Sequence, residues 1–450
     1  MKVKVGLELH GYLKTNEKLF CECKTDYQNA KPNTNVCEVC TGMPGNKPML
    51  PNKNAVEKIV AIGLMLGCKI NKEFLFQRKH YDWPDLPNGY QKTVSGAYSV
   101  PVGEKGKFLG INIREVHLEE DPARWDPRTG YVDYNRSGMP LIEIVTEPDF
   151  TDAEEVRIWL RNLIITLDYI KAIDKDAGVK CDVNVSINDG ERVEVKNINS
   201  LWSIVRAIEY EIERQSKNKV IRETRAFVES EKKTVAMRSK EKAEDYRFIP
   251  DPDLVVVDTS SVDVKKIKDN LPELPHKKVE RFIKSLKVKE QDAKVLSSDL
   301  MLAELFEKVA KEVDPKLATR WLVREIPRVL NYNKKSLEDL KIDETHIIEL
   351  LNLLEKKKIT ETTAKKILEK LIEKPFSVKG YVAKESLVAE FSEEKLENVC
   401  KEAIKENPKA IADYKQGRQE ALDFLMGIVM KKTRGTSDPN IVKEILRKLL

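Results

Sequence analysis

Apolar and polar positions alternate from the first residues of the chain. Val3, Val5, Leu7 and Leu9 fall on one side, and Lys4, Gly6, Glu8 and His10 on the other. A period of two predicts a half-buried strand. Short alternating or β-branched runs also cover Phe108–Val116, Leu141–Thr146 and Cys181–Ile187. Between them, apolar residues recur at three and four over Asn54–Leu66, Glu154–Ile173 and Trp202–Gln215, the spacing of helices with one buried face. The pattern changes near residue 260. Beyond Pro272 and Pro275 the helical period prevails over Leu300–Val313, Leu317–Val329, His346–Leu354 and Thr363–Leu371, and again over Leu396–Ile404, Pro408–Tyr414 and Arg418–Lys432. Phe376–Tyr381 reads as a loop, and Lys431–Pro439 as a basic turn before a last helix. The expected fold class is α+β. A large mixed, β-rich domain spans 1–270, an all-α domain 271–394 and a small helical tail domain 395–450.

With 450 residues, 41% of them hydrophobic and 34% charged, the chain is long enough for two or three separate cores. No apolar run reaches the roughly 18 residues of a membrane span, so no membrane partner is expected. Strand-like alternation at the very start speaks against a secretory leader, and the sparse cysteines suit a reducing, cytoplasmic setting. The net charge of +5 is small. The tail from 395 to 450 is locally basic, with twelve Lys/Arg against eight Asp/Glu. That surplus fits either a phosphate-binding surface or the solvated face of Lys-rich helices.

Four of the seven cysteines form two close pairs, Cys21-x-Cys23 and Cys37-x-x-Cys40. Two such knuckles can aim four thiolates at one zinc ion. Two disulfides are the other reading, which a cytoplasmic setting disfavours. A closed four-thiolate site leaves no position for substrate, so it would support the fold and do no chemistry.

Chemistry must lie elsewhere. Glu8 and His10 project from one face of the first strand, about 7 Å apart, where they can bind a divalent ion, handle a proton, or simply face solvent. His117–Asp121 packs an imidazole and three carboxylates into five residues. Such crowding calls for a cation, and Mg²⁺ accepts a few carboxylates together with phosphate oxygens. Alternation puts Glu119 beside His117, whereas a bulge at the strand end would present Glu120 instead. Polar turns at Arg78–Asp85, Asp133–Gly138 and Arg238–Phe248 interleave basic and aromatic residues, as a site for phosphate and a stacked base requires. Asp182–Ser186 and Glu194–Asn199 add carboxylates and amides at strand spacing. Neither a G-x-x-x-x-G-K-[ST] loop nor a G-x-G-x-x-G fingerprint is present.

Val5–His10, Asn33–Cys40, Arg78–Tyr81, Pro84–Gln91, His117–Asp121, Asp133–Arg136, Pro140–Asp149 and Asp245–Pro250 resemble, in order, the B-subunit (GatB) family of aspartyl/glutamyl-tRNA amidotransferases. The resemblance resumes at Asn407–Tyr414 and Gly427–Gly435. Asp176–Lys180 and Trp83 depart from the pattern common in bacterial members. What the resemblance implies is a cradle-shaped catalytic domain and a tRNA-binding tail. It also implies an ATP-dependent ligase that phosphorylates the side-chain carboxylate of Asp-tRNA(Asn) or Glu-tRNA(Gln) and replaces the phosphate with ammonia. The implied partners are an amidase subunit (GatA), a small third subunit (GatC) and misacylated tRNA. The implied cofactors are ATP, Mg²⁺ and structural Zn²⁺. Glu8, His10 and Glu120 would hold Mg²⁺, with Glu119 the alternative and Lys79 a further catalytic residue. Arg78, Tyr81, Asp85, Asn135, Arg136, Asp182, Asn184, Arg238 and Lys240 would contact substrate or ATP. The competing readings are the paralogous Glu-tRNA-specific subunit (GatE), which carries an inserted domain, and a non-catalytic tRNA-binding scaffold.

Overall fold

The apolar side of the first strand becomes core: Val3, Val5, Leu7 and Leu9 are all buried. The computed structural model describes residues 1–174, 177–237, 246–385, 387, 393–433, 435 and 437–450. The side chains of Asn197 and of residues 393–395 are not described. Two compact units divide the chain, Met1–Leu274 and Pro275–Leu450.

The first unit contains sixteen strands among its described residues. In chain order they are β1 (Val3–Tyr12), β2 (Lys69–Ile70), β3 (Glu73–Phe74), β4 (Gln77–His80), β5 (Tyr90–Thr93), β6 (Gly103–Phe108), β7 (Ile111–Asp121), β8 (Arg124–Trp125), β9 (Val132–Asp133), β10 (Met139–Thr146), β11 (Val179–Ile187), β12 (Val193–Ile198), β13 (Glu223–Val228), β14 (Lys233–Ala236), β15 (Arg247–Pro250) and β16 (Val257–Asp258). Twelve of them form one sheet in the order β14-β13-β12-β11-β1-β10-β7-β5-β4-β15, with β6 beside β7 and β2 beside β6. β1 is therefore central. Pairing is antiparallel except between β12 and β13, and a parallel pair needs a crossover. Helix α3, defined below, supplies it.

One face of the sheet is covered by α1 (Lys53–Met65), α2 (Ala153–Tyr169) and α3 (Leu201–Lys217), each near its expected span. Their N-caps are Asn52, Asp152 and Ser200, whose side chains accept backbone N–H groups of the first turn. Trp159 of α2 packs edge-on against Phe108 and Phe150 and donates its indole N–H to the Phe108 carbonyl at 2.9 Å. The run Phe108–Val116, expected as one strand, is broken by a hairpin turn. Leu109 and Gly110 both take positive φ, 48° and 88°, and separate β6 from β7.

The second unit is all-helical among its described residues. It has two separate apolar clusters, one spanning Phe282 to Val382 and one spanning Leu396 to Leu446. Phe376–Tyr381 is not a loop. Ser377 caps a helix over Val378–Lys384, its hydroxyl accepting from Gly380 N. The expected helix Leu317–Val329 extends over Pro315–Tyr332 but contains a π turn at Trp321–Glu325. Pro327 lacks the N–H that an unbroken helix would use there.

Helix α3 is pinned to the sheet by a fully buried carboxylate. Glu211 accepts from Arg214 at 2.9 Å and Gln215 at 3.1 Å on its own helix, pairs with Arg225 of β13 at 3.2 Å, and also takes the Thr234 hydroxyl of β14. Removing it leaves two half-buried guanidiniums with Glu223 as their shared carboxylate and, for Arg225, the hydroxyl and carbonyl of Thr234. We expect Glu211→Ala to lower unfolding free energy by about 3–5 kcal/mol, read from the urea midpoint. A loss under ~1 kcal/mol, the size of an exposed pair, would rule this network out as the pin.

Candidate active site

The helix-free face of the sheet is polar because its strands alternate in register. His10 of β1 stands opposite Glu143 of β10, which stands opposite His117 of β7. On the other side of β1, Glu8 stands opposite Asp182 of β11, and Asn184 opposite Glu194 of β12. Directly opposed residues share a face with Cβ atoms about 5 Å apart. The result is a row of carboxylates and imidazoles across five strands.

Two groups form within that row. Carboxylate oxygens of Glu8, Asp182 and Glu194 lie within 4.8 Å of one another, and Asn184 donates its amide N–H to Glu8 at 3.1 Å. Beside them, His10 Nε2 lies 3.6 Å from Glu119 and 3.7 Å from Glu143. Burial, aided by Glu143, Glu194 and Asp182, raises the Glu8 carboxyl above its ordinary range. Burial also raises Glu119, with Glu143 adding to it and His10 and Lys79 opposing. Glu143 goes the other way. Burial would raise it, but its bond to His10 and the charges of His10, His117 and Lys79 hold it at about 2. Burial would lower His10, yet Glu143, Glu119 and Asp182 push it up to about 9. This face therefore carries an imidazolium clamped between two carboxylates, next to three crowded ones. Glu143 Oε2 and Asn184 Oδ1 are buried with no hydrogen-bond partner among the described residues.

The other expected residues divide. Lys79 Nζ lies over the Tyr246 ring at 4.5 Å and the Tyr81 ring at 5.8 Å, and its charge acts on Glu119 and Glu143. Tyr81 packs edge-on to Tyr246, and burial with Asp85 and Glu119 raises its phenol. Asp85 is half-buried, its carboxyl raised by burial against the pull of Arg136. Arg136 pairs with Asp121 at 3.0 Å and donates to the carbonyls of Pro122 and Ala123. Arg78 is already engaged: it bonds Asp251 at 3.1 Å and Asp253 at 2.7 Å and stacks 4.5 Å from the Tyr90 ring centroid. Asn135 is fully buried and ties loops together, accepting from Asn35 N and donating to the Lys31 carbonyl. Arg238 and Lys240 lie outside the described residues.

Glu120 does not join the row. Its carboxylate accepts from Lys92 Nζ at 3.0 Å and from Lys92 N at 3.2 Å. The bulge that would have turned it lies instead at Val145/Thr146, at the far end of the β7–β10 ladder. Pleat thus puts Glu119 on the polar face and Glu120 on the opposite one, in place of the Glu120 ligand expected from the motif. Glu143 had no role assigned from sequence. Its one signal was a lone carboxylate inside the apolar strand Met139–Thr146.

The four cysteines converge as expected. The sulfurs of Cys21, Cys23, Cys37 and Cys40 lie within 4.8 Å of one another, Cys37 to Cys40 at 3.9 Å and Cys23 to Cys40 at 4.0 Å. All four are free thiols, so the disulfide reading does not hold. Arms of about 2.3 Å around a tetrahedral ion would set sulfurs about 3.8 Å apart, so the cluster has the dimensions to hold a metal such as zinc. Cys40 is held down at about 5, first by its bond with Cys21, then by the Lys18 ammonium and the Cys37 N–H, against burial. Burial first, then Cys40, pushes Cys23 up to about 12. Ser137 ties the cluster to the turn carrying Arg136 by donating to the Cys40 carbonyl at 2.7 Å.

Comparison with known proteins adds a second line of argument. Residues 3–265 match the family profile described as "GatB/GatE catalytic domain", and residues 304–450 one described as "GatB domain". The chain is 48% identical to the B subunit of the aspartyl/glutamyl-tRNA(Asn/Gln) amidotransferase of Methanothermobacter thermautotrophicus, covering 99% of each. It is 47% identical to the B subunit of the same enzyme from Methanococcus maripaludis strain C6 and 46% identical to that of Methanocaldococcus jannaschii, covering all of this chain and 98% of each relative. With both profiles in order and full-length identity near one half, this chain belongs to the GatB/GatE family.

Proposed function

We propose that the chain is the B subunit of a tRNA-dependent amidotransferase, an ATP-consuming carbon–nitrogen ligase. The observation that carries the proposal is the meeting of Glu8, Asp182 and Glu194 within 4.8 Å, beside His10, on the central strands of the matched catalytic domain. A pure RNA-binding scaffold has no use for three carboxylates where phosphate must approach. Relatives named as B subunits match end to end, which leaves no room for the inserted domain of the GatE paralogue.

In the first half-reaction a side-chain carboxylate oxygen of Asp-tRNA or Glu-tRNA attacks the γ-phosphorus of ATP, forming an acyl phosphate and releasing ADP. In the second, ammonia adds to the acyl carbon, phosphate leaves, and the nitrogen sheds a proton. Glu8, Asp182 and Glu194 would hold Mg²⁺, which neutralises charge on the phosphates when bound. The His10 imidazolium, fixed by Glu119 and Glu143, and the Lys79 ammonium above Tyr246 set two further positive charges at the same face, where charge develops on the transferred phosphoryl group. Glu119, with its raised carboxyl, is suited to take the proton that the nitrogen sheds. Arg78, locked by Asp251 and Asp253, serves the site best as a strut for β4. Ammonia would come from an amidase subunit, and a third small subunit and misacylated tRNA complete the assembly. We assign the cytoplasm as its place of work, zinc as the metal of the four cysteines, and tRNA contact to the basic tail.

Assembled with an amidase and a small subunit, the chain should consume ATP only with Mg²⁺, glutamine and Asp-tRNA or Glu-tRNA. Tight tRNA binding without ATP use on either substrate would favour the scaffold. Glu8→Gln and Glu119→Gln should each cut ADP release at least about 100-fold, with tRNA affinity and melting temperature nearly unchanged. Glu120→Ala should behave otherwise, losing about 3–5 kcal/mol of stability because Lys92 is left buried and unpaired. Reversal of that contrast would return the site to Glu120. Cys37→Ala should lose both bound zinc, measured by elemental analysis, and thermal stability. Lost turnover with zinc content and melting intact would contradict a structural role for the cysteines.

A further inference from the structure

Lys18 is 1% exposed, among the largest fully buried side chains of the protein. Its ammonium donates to the Asn35 carbonyl at 2.9 Å, the Tyr134 carbonyl at 3.2 Å and Cys40 Sγ at 3.4 Å. None of these acceptors is a carboxylate. A buried ammonium without an anionic partner is costly, so the sulfur must be that partner. The turn packs against both groups: at Gly138, whose φ is +81°, an added Cβ would lie in van der Waals contact with Cys40 Cβ at 3.5 Å and Lys18 Cδ at 3.6 Å.

We propose that Lys18 is the built-in counter-ion of the four-cysteine metal site, coupling metal binding to the fold of the turn that carries Arg136. The inference rests on the metal reading of the cysteines given above. Four thiolates around a divalent ion carry a formal charge of −2, and Cys21 and Cys40 would hold their share of it buried. One N–H···S bond from an ammonium, here Lys18 to Cys40 Sγ at 3.4 Å, cuts that charge by half. Lys18 also reaches across the cluster. Its bond to Tyr134 holds the 133–138 turn, which Ser137 joins to Cys40 and Leu19 N joins to the Gly138 carbonyl at 2.8 Å. The same turn places Arg136 against Asp121, and Asp121 takes the Tyr12 hydroxyl at the end of β1.

The test uses the full chain and Zn²⁺ alone. Zinc affinity is measured by chelator competition, and melting temperature is measured with zinc and with chelator. Lys18→Met fills the space without charge. It should weaken zinc binding about 10–100-fold and shrink the zinc-dependent rise in melting temperature. A merely structural lysine would lower both melting temperatures equally and leave that rise intact; this result, with unchanged affinity, overturns the proposal. If Lys18→Met does not fold, Lys18→Gln keeps an amide donor for the carbonyls, removes the charge and carries the same expectation. An unsubstituted chain that binds no zinc overturns the metal reading and this inference together. Tight binding by both the unsubstituted chain and the variant overturns the role of Lys18 alone.

Discussion

Mutual repulsion among carboxylates governs the catalytic half of this protein. Glu8, Asp182 and Glu194 crowd together, and Glu119 and Glu143 flank the imidazole of His10. In water such groups would separate. Here the backbone ladders of β12, β11, β1, β10 and β7 fix them, and those ladders are held by the apolar face packed on α1, α2 and α3. Burial first, then the neighbouring carboxylates, raises the carboxyls of Glu8 and Glu119, and the same carboxylates raise His10 against its burial. The carboxylates of this face are thus desolvated and held in place by the fold before any ligand arrives.

The cysteine cluster solves a different problem for the same domain. The 18–52 segment has few strands or helices of its own, and its order comes from ties to other loops. Asn33 and Asn35 bond the 132–135 stretch, and Lys47 reaches Asp253 at 3.0 Å, which also holds Arg78. Ser137 and Lys18 tie the cysteine cluster to the 133–138 turn, and Arg136 of that turn pairs with Asp121, so the cluster is joined mechanically to the end of β7.

Much of this was legible in the sequence. The alternation of Val3–His10 placed Glu8 and His10 on the polar face, and the paired knuckles announced the cysteine cluster. The same alternation rule, applied to His117–Asp121, favoured Glu119, while the motif as a whole drew attention to Glu120. Pleat places Glu119 on the polar face and Glu120 on the other, because no bulge intervenes at that end of β7. Glu143 was hidden because its neighbours are apolar and its meaning depends on a cross-strand partner 133 residues away in the chain, His10. Asn135 and Arg78 stood in polar turns that suggest ligand contacts, yet Asn35 and Lys31 engage the one and Asp251 and Asp253 the other. Local sequence shows which groups are present; register and tertiary partners decide which of them are free to act. The helical unit was easier to read, apart from Ser377, whose cap turned an apparent loop into a helix.

The centrality of β1 has a consequence for its length. Val3, Val5, Leu7 and Leu9 are core while Glu8 and His10 stand on the polar face, so the strand has no neutral side. Inserting or deleting one residue would turn Glu8 and His10 into the helices and present Val5 and Leu7 to the polar face. Loops absorb changes of length; the ten residues of β1 do not, because a one-residue slip exchanges its two faces and both are committed.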